Sequence, residues 1–137
     1  MRTFFDASAL AKRYVEEPGS SAVEGICANA TELAICVICI PEIISALNRR
    51  LRERLLVHQE YVAAKRCLSA DVRDVVVVNL VPAVISACTL LLESNPIRAM
   101  DALHVASALE WGADLFVSSD RRQLAAAKKA GLRTKLV

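Results

Sequence analysis

The sequence predicts an α/β fold in which a central parallel sheet is covered by helices on both faces, and three observations predict it. Short apolar runs rich in β-branched and aromatic residues alternate along the chain with longer runs of helical periodicity. The strand-like runs are continuously apolar rather than alternating, as strands buried on both faces are. The chain has 137 residues, 55% of them hydrophobic, with no linker, repeat or low-complexity stretch. That describes one domain, residues 1–137, with a filled core and apolar surface left over for a partner.

The elements follow in order. "RTFF" (2–5) predicts a first strand, and "ASALAKRYVEE" (7–17) a helix that stops at Pro18-Gly19. A second helix spans Ser20 to Asn29. "LAICVICI" (33–40) reads as a buried strand, and Pro41 as the first-turn proline of the helix after it. In that helix Ile43, Ile44, Leu47, Leu51 and Leu55 form an apolar stripe. "HQEYVAAKRCLSA" (58–70) is its helical partner, and the two make a protruding arm over roughly Glu42 to Ser69. "VRDVVVV" (72–78) predicts a third strand and "PAVISACTLLLES" (82–94) a helix ending near Asn95-Pro96. "IRAMDALHVAS" (97–107) is helical, "LFVSS" (115–119) a fourth strand, and "RRQLAAAKKAG" (121–131) a helix capped by Gly131. "RTKLV" (133–137) closes the sheet as an edge strand.

Bulk properties exclude several function classes. A net charge of +2 does not by itself announce nucleic-acid binding. Val75 to Leu92 carries no charge over nearly a membrane span, but Asn79 and Pro82 divide it into a strand and a helix. The five cysteines (27, 36, 39, 67 and 88) sit in apolar runs, where Cys behaves as a small hydrophobe. Their odd number, without a signal peptide, points to a reducing cytoplasm. Cys36 and Cys39 have CxxC spacing, yet an offset of three along a strand sends the side chains to opposite faces.

The acids carry the chemistry. On a helical wheel Asp101 shares its side with Ala102, Val105, Ala108 and Leu109, whereas Glu110 lies nearly opposite. A carboxylate there needs a helix start or a cation, because burying a lone charge costs several kcal/mol. Asp6, Glu42 and Asp120 follow the first, second and fourth predicted strands, at the sheet edge where ligands of open α/β folds bind. Each acid also reads as a helix cap or a first-turn charge. Together they put four negative charges on one edge with no cation beside them to offset the repulsion. A hard divalent ion, Mg²⁺ or Mn²⁺, suits such an all-oxygen set. His104, one turn from Asp101, reads as a partly buried polar contact rather than a ligand, and His58 belongs to the arm. No glycine-rich phosphate loop and no Ser-His-Asp arrangement is present, so hydrolysis or phosphoryl transfer at a metal is the chemistry that fits.

Four stretches, "FFDASALAKRY", "PEIISAL", "IRAMDALHVASAL" and "LFVSSDRRQLAAAKKAGL", resemble the PIN-domain family, over nearly the whole chain and in its order. The nearest look is to VapC-like toxins of bacterial and archaeal toxin–antitoxin pairs. The resemblance implies a three-layer α/β/α domain and a magnesium-dependent ribonuclease. In that pattern Asp6, Asp101 and Asp120 are chiefly metal ligands, and Glu42 completes the pocket and positions water. Ser118 stands where relatives carry a Thr or Ser near the metal, and Ser8 follows the first Asp. The resemblance further implies a homodimer, with the arm as candidate surface, and a cognate antitoxin over the active-site side.

RNA would need cations to offset the acids. Arg121 and Arg122, beside Asp120, are best placed; Arg49 and Arg50, with Arg52 and Arg54, lie off the apolar stripe of their helix and read as a solvated face, as a phosphate contact or, as the resemblance implies, as a dock for an acidic antitoxin tail. With aromatics at 4%, reading bases by stacking is not visible. Two rivals stand beside the toxin reading. One is a PIN nuclease of housekeeping RNA maturation. The other is a receiver-type signalling domain, which wants paired acids after the first strand, where Asp6 stands alone.

Overall fold

The computed structural model describes residues 1–137. Its elements are β1 (Arg2–Phe5), α1 (Ala7–Leu10), α2 (Ser20–Asn29), β2 (Glu32–Cys36), α3 (Cys39–Arg52), α4 (His58–Asp74), β3 (Val76–Val78), α5 (Pro82–Ser94), α6 (Ala99–Trp111), β4 (Leu115–Ser118), α7 (Arg121–Lys129) and β5 (Arg133–Leu136). The strands form one parallel sheet in the order β3-β2-β1-β4-β5. The chain steps outward from β1 through β2 to β3, then returns to the other side of β1 for β4. The strand order therefore reverses between β1 and β4, the switch point at which α/β sheets open a crevice.

Alternation along the strands builds two cores. Phe4, Ala34, Cys36 and Phe116 face one layer with Val84, Cys88, Val105 and Ala106 of α5 and α6. Their chain neighbours Phe5, Ile35 and Val117 face the other, with Leu10, Val23, Ile43, Leu47 and Leu68. Because successive side chains point oppositely, strands buried on both faces must be apolar throughout, which is why these runs lack alternation. Cys36 and Cys39 end up in opposite cores, and all five thiols are free. The edges differ: β5 carries Arg133 and Lys135, whereas β3 is three valines. No helix is long and apolar enough to cross a membrane.

The structure corrects five boundaries. The second strand stops at Cys36 rather than Ile40, because its neighbour β3 ends at Val78, the partner of Cys36. Helix α3 begins at Cys39 and takes Pro41 into its first turn, where the missing N–H costs nothing. Residues 72–74 stay helical: Ala64, Leu68 and Val72 extend one stripe of α4 into the core at four-residue spacing, so β3 is left with Val76–Val78. The first helix is one turn, followed by a 3₁₀ turn at Ala11–Arg13, which brings Tyr14 and Val15 against the core and Arg13 to Asp71. Leu55 lies outside α3 and is 67% exposed; Leu56 turns inward in its place. The junction of α3 and α4 holds Arg54 at φ +59°, a left-handed conformation.

Candidate active site

Each of the four acids is placed by the start of a helix. Asp6 is the N-cap of α1, accepting the Ala9 N–H at 2.9 Å. Asp120 is the N-cap of α7, accepting the Arg122 and Gln123 N–H groups at 2.8 and 3.3 Å, both at Oδ1. Glu42 and Asp101 lie in the first turns of α3 and α6. The cap and the site are thus the same residues: helix starts aim partial positive charge at the crevice, and the acids occupy it.

The cleft is lined by Ser8, Glu42, Asp101 and Asp120, with Pro96, Ile97, Met100 and Ser119, and by Arg98, Arg121 and Arg122; its volume is about 890 Å³. Asp6 sits behind this lining, 4% exposed. The Ser8 hydroxyl lies 2.9 and 2.7 Å from the two Asp6 oxygens, and Ser118 Oγ lies 3.0 Å from Oδ2. Ser8 also accepts the Ser119 N–H at 3.0 Å. Arg49 and Arg50 are not in the cleft. They line a smaller groove beside it with Lys12, Ser8 and Ser119, and Arg50 is bound to Glu17 at 2.7 Å.

The electrostatics are those of an uncompensated acidic site. Burial pushes the Asp6 carboxyl above its ordinary value, against the opposing pull of His104, Ser8, Ala9 and Ser118. Asp101 is also raised, by burial first and then by Asp120, with a further push from Glu42; the Arg98 N–H and His104 oppose it. No Lys or Arg pairs with any of the four acids, although three arginines line the same cleft; the one basic side chain in contact with them is the His104 imidazole, at Glu42. His104 is buried and its Nε2–H donates to Glu42 Oε1 at 2.6 Å, while Nδ1 has no partner. It is a polar contact holding Glu42 from the protein side, and it is fully rather than partly buried.

No three acidic, histidine or cysteine side chains are drawn together as a finished ligand set. The donor chemistry nevertheless fits a hard divalent cation. The facing groups are carboxylate oxygens; burial first, and then the charges of Asp120 and Glu42, raise Asp101, and a cation between them would offset that repulsion. Glu42, Asp101 and Asp120 face the cleft, with Asp6 behind them. A buried residue absent from the sequence-based list joins them. Gln123 is fully buried, with its Oε1 2.8 Å from Ser118 Oγ, and donates to the Asp101 carbonyl at 3.1 Å. Its signal in the sequence was a polar amide on the buried face of α7, beside Leu124 and Ala127.

The fold resembles several solved structures. The VapC20 toxin of Mycobacterium tuberculosis, described as cleaving the sarcin-ricin loop, superposes with a TM-score of 0.69 at 19% identity, over 95% of each chain. VapBC2 of Rickettsia felis, solved with a promoter DNA fragment, gives 0.70 at 12% identity over 100% of this chain and 99% of that one. FitAcB of Neisseria gonorrhoeae gives 0.68 at 12% identity, over 96% and 95%. No curated protein matches in sequence. At such identities these likenesses speak for the fold. Residues 3–129, from β1 to the end of α7, match the PIN domain. With acids at the ends of β1 and β4 and at the starts of α3 and α6, all inside that match, the chain belongs to the PIN-domain family.

Proposed function

We propose that this protein is a metal-dependent endoribonuclease and the toxin of a toxin–antitoxin pair. The observation that carries the reading is a set of four carboxylates without a lysine or arginine partner, three lining a cleft rimmed by Arg98, Arg121 and Arg122 and Asp6 behind them. Acids of that kind suit Mg²⁺ or Mn²⁺, and arginines outside their reach suit phosphate.

Glu42, Asp101 and Asp120, with Asp6 behind them, would hold the ion, which when bound would supply an activated water and charge stabilisation at a phosphodiester. The chain's residues do the rest. His104 fixes the Glu42 carboxylate, and Ser8 and Ser118 orient Asp6. Arg121 and Arg122 leave the first turn of α7 beside Asp120 and offset backbone charge on RNA. No side chain of the cleft is an activated nucleophile, so water is the attacking group.

The partners proposed are RNA as substrate, a cognate antitoxin and a second copy of the chain. The toxin–antitoxin complexes among the structural neighbours support the antitoxin. Exposed Leu55 and Val57 at the arm tip, and Val81, Ile85 and Leu92 along α5, offer apolar surface for burial. A cytoplasmic location accords with the free thiols. Housekeeping RNA maturation is the alternative within the same family; a small neighbouring reading frame encoding an antitoxin separates the two. PIN membership disfavours the receiver reading.

The test is digestion of total RNA by purified protein with Mg²⁺ or Mn²⁺, with EDTA, and with Asp101→Asn. Discrete fragments, lost in EDTA and reduced at least about 100-fold in the variant, are expected; this is the scale of losing a group that acts only in the transition state. Full activity of Asp101→Asn would overturn the site assignment.

A further inference from the structure

Helix α7 opens with Asp120-Arg121-Arg122-Gln123, the spacing of a capping box. In that motif the Gln side chain turns back to the N-cap backbone N–H. Here it does not. The Asp120 N–H is taken by Ser118 Oγ at 2.9 Å, and the Gln123 carboxamide runs inward instead, fully buried, between β4 and α6. A side chain that forgoes a local bond for complete burial is held by what it meets there.

The hydrogen-bond inventory fixes its orientation. The Asp101 carbonyl can only accept, so the Gln123 NH₂ faces it at 3.1 Å. The carboxamide oxygen therefore faces Ser118 Oγ, at 2.8 Å. Ser118 has one proton and two close acceptors for it, Gln123 Oε1 and Asp6 Oδ2 at 3.0 Å, with Ser8 Oγ farther off at 3.4 Å. Both Ser118 and Gln123 are wholly buried, so water cannot satisfy whichever acceptor goes without. Asp6 Oδ2 already has the Ser8 hydroxyl at 2.7 Å.

We propose that Gln123 is a positioning residue for the acidic site: its carboxamide oxygen is the second acceptor for Ser118, so that Asp6 Oδ2 can turn to a divalent cation without stranding a buried hydroxyl proton. The Ser118 O–H rotates from Asp6 to Gln123 as the ion is taken up, and no bond to hydrogen breaks. The same carboxamide ties the first turn of α6, and with it Asp101, to the end of β4. This rests on the metal-nuclease reading above and names a residue that acts behind the acids rather than on substrate.

The experiment is Mn²⁺ titration by calorimetry, with steady-state kinetics in parallel, on wild type, Gln123→Met, Ser118→Ala and the double variant. Methionine keeps the volume and removes both bonds. Gln123→Met is expected to bind Mn²⁺ about 10- to 100-fold more weakly, the usual cost of losing a residue that supports ligands. Its kcat falls with the affinity while KM for RNA holds. Adding Ser118→Ala removes the contested proton, and the double variant regains at least about threefold in Mn²⁺ affinity over Gln123→Met. A merely structural role for Gln123 predicts the opposite, a second truncation that lowers stability again and recovers no affinity. Unchanged affinity in Gln123→Met overturns the proposal, as does a double variant no better than the single. Should Gln123→Met fail to fold, Gln123→Leu takes its place with the same readings: weaker Mn²⁺ binding that Ser118→Ala partly restores supports the proposal, and unchanged affinity overturns it. A wild type that binds no Mn²⁺ overturns the metal reading itself, and the role of Gln123 with it.

Discussion

Asp101 stands at the first turn of α6 with its carboxyl raised, first by burial and then by Asp120, so its charge is held at a cost to the fold. The sign follows from linkage. A carboxyl whose folded value lies above its unfolded value binds protons more readily when folded, so stability falls as pH rises through the interval between them. Asp6 is raised as well, mainly by burial, and contributes in the same direction. In metal-free buffer, Asp101→Asn is therefore expected to melt higher than wild type near neutral pH, with the gap closing towards about pH 4 as the wild-type acids protonate. Thermal melts across that range check it, and a variant less stable than wild type at neutral pH would remove the repulsion argument. Gain of stability together with loss of cleavage on one substitution is the outcome expected of a site strained for function.

Among the elements, the α1 end, the 3₁₀ turn, α2 and α4 are tied by one polar cluster remote from the cleft. Arg13 donates to both Asp71 oxygens at 2.9 and 3.1 Å and to Glu24 at 2.9 Å, and the Tyr14 hydroxyl donates to Asp71 at 2.7 Å. Hydrogen bonding to Asp71 raises the Arg13 guanidinium above its ordinary value, and burial raises the Tyr14 hydroxyl. The cluster is partly exposed, which discounts it, so Asp71→Ala is expected to cost about 1–2 kcal/mol by urea unfolding while cleavage persists. At the α3–α4 junction, Arg54 at φ +59° pays the left-handed penalty that glycine avoids. Arg54→Gly is expected to raise stability by about 0.5–1 kcal/mol, less whatever entropy glycine adds to the unfolded chain.

For the whole molecule, an ion that binds only the folded chain stabilises it by mass action. At about ten times Kd, Mg²⁺ or Mn²⁺ is expected to add about 1.4 kcal/mol, a rise of a few degrees in Tm, and to do much less in Asp101→Asn. Equal shifts in both proteins would mean that the ions bind elsewhere.

How far the sequence reached depended on the range of the forces involved. Local pattern determined the order of strands and helices, the continuously apolar strands, the division of Val75–Leu92 into β3 and α5, and the glycine turn after α7, where Gly131 has φ +101°. It also singled out Asp6, Glu42, Asp101 and Asp120, because an acid on an apolar face or at a strand end is anomalous within a few residues of itself. Tertiary structure decided where β2 and β3 end, since a strand lasts only as long as its neighbour: Cys36 is the last residue with a partner. It decided that Arg50 belongs to Glu17 while Arg98, Arg121 and Arg122 rim the cleft. It also turned Gln123 inward, against its local capping preference, to meet Ser118 and Asp101. Hydrophobic period and caps act between residues a turn apart, so a sequence displays them. Hydrogen bonds between β1, β4, α6 and α7 join residues as far apart as Asp6 and Ser118, and only folding brings those donors and acceptors within reach.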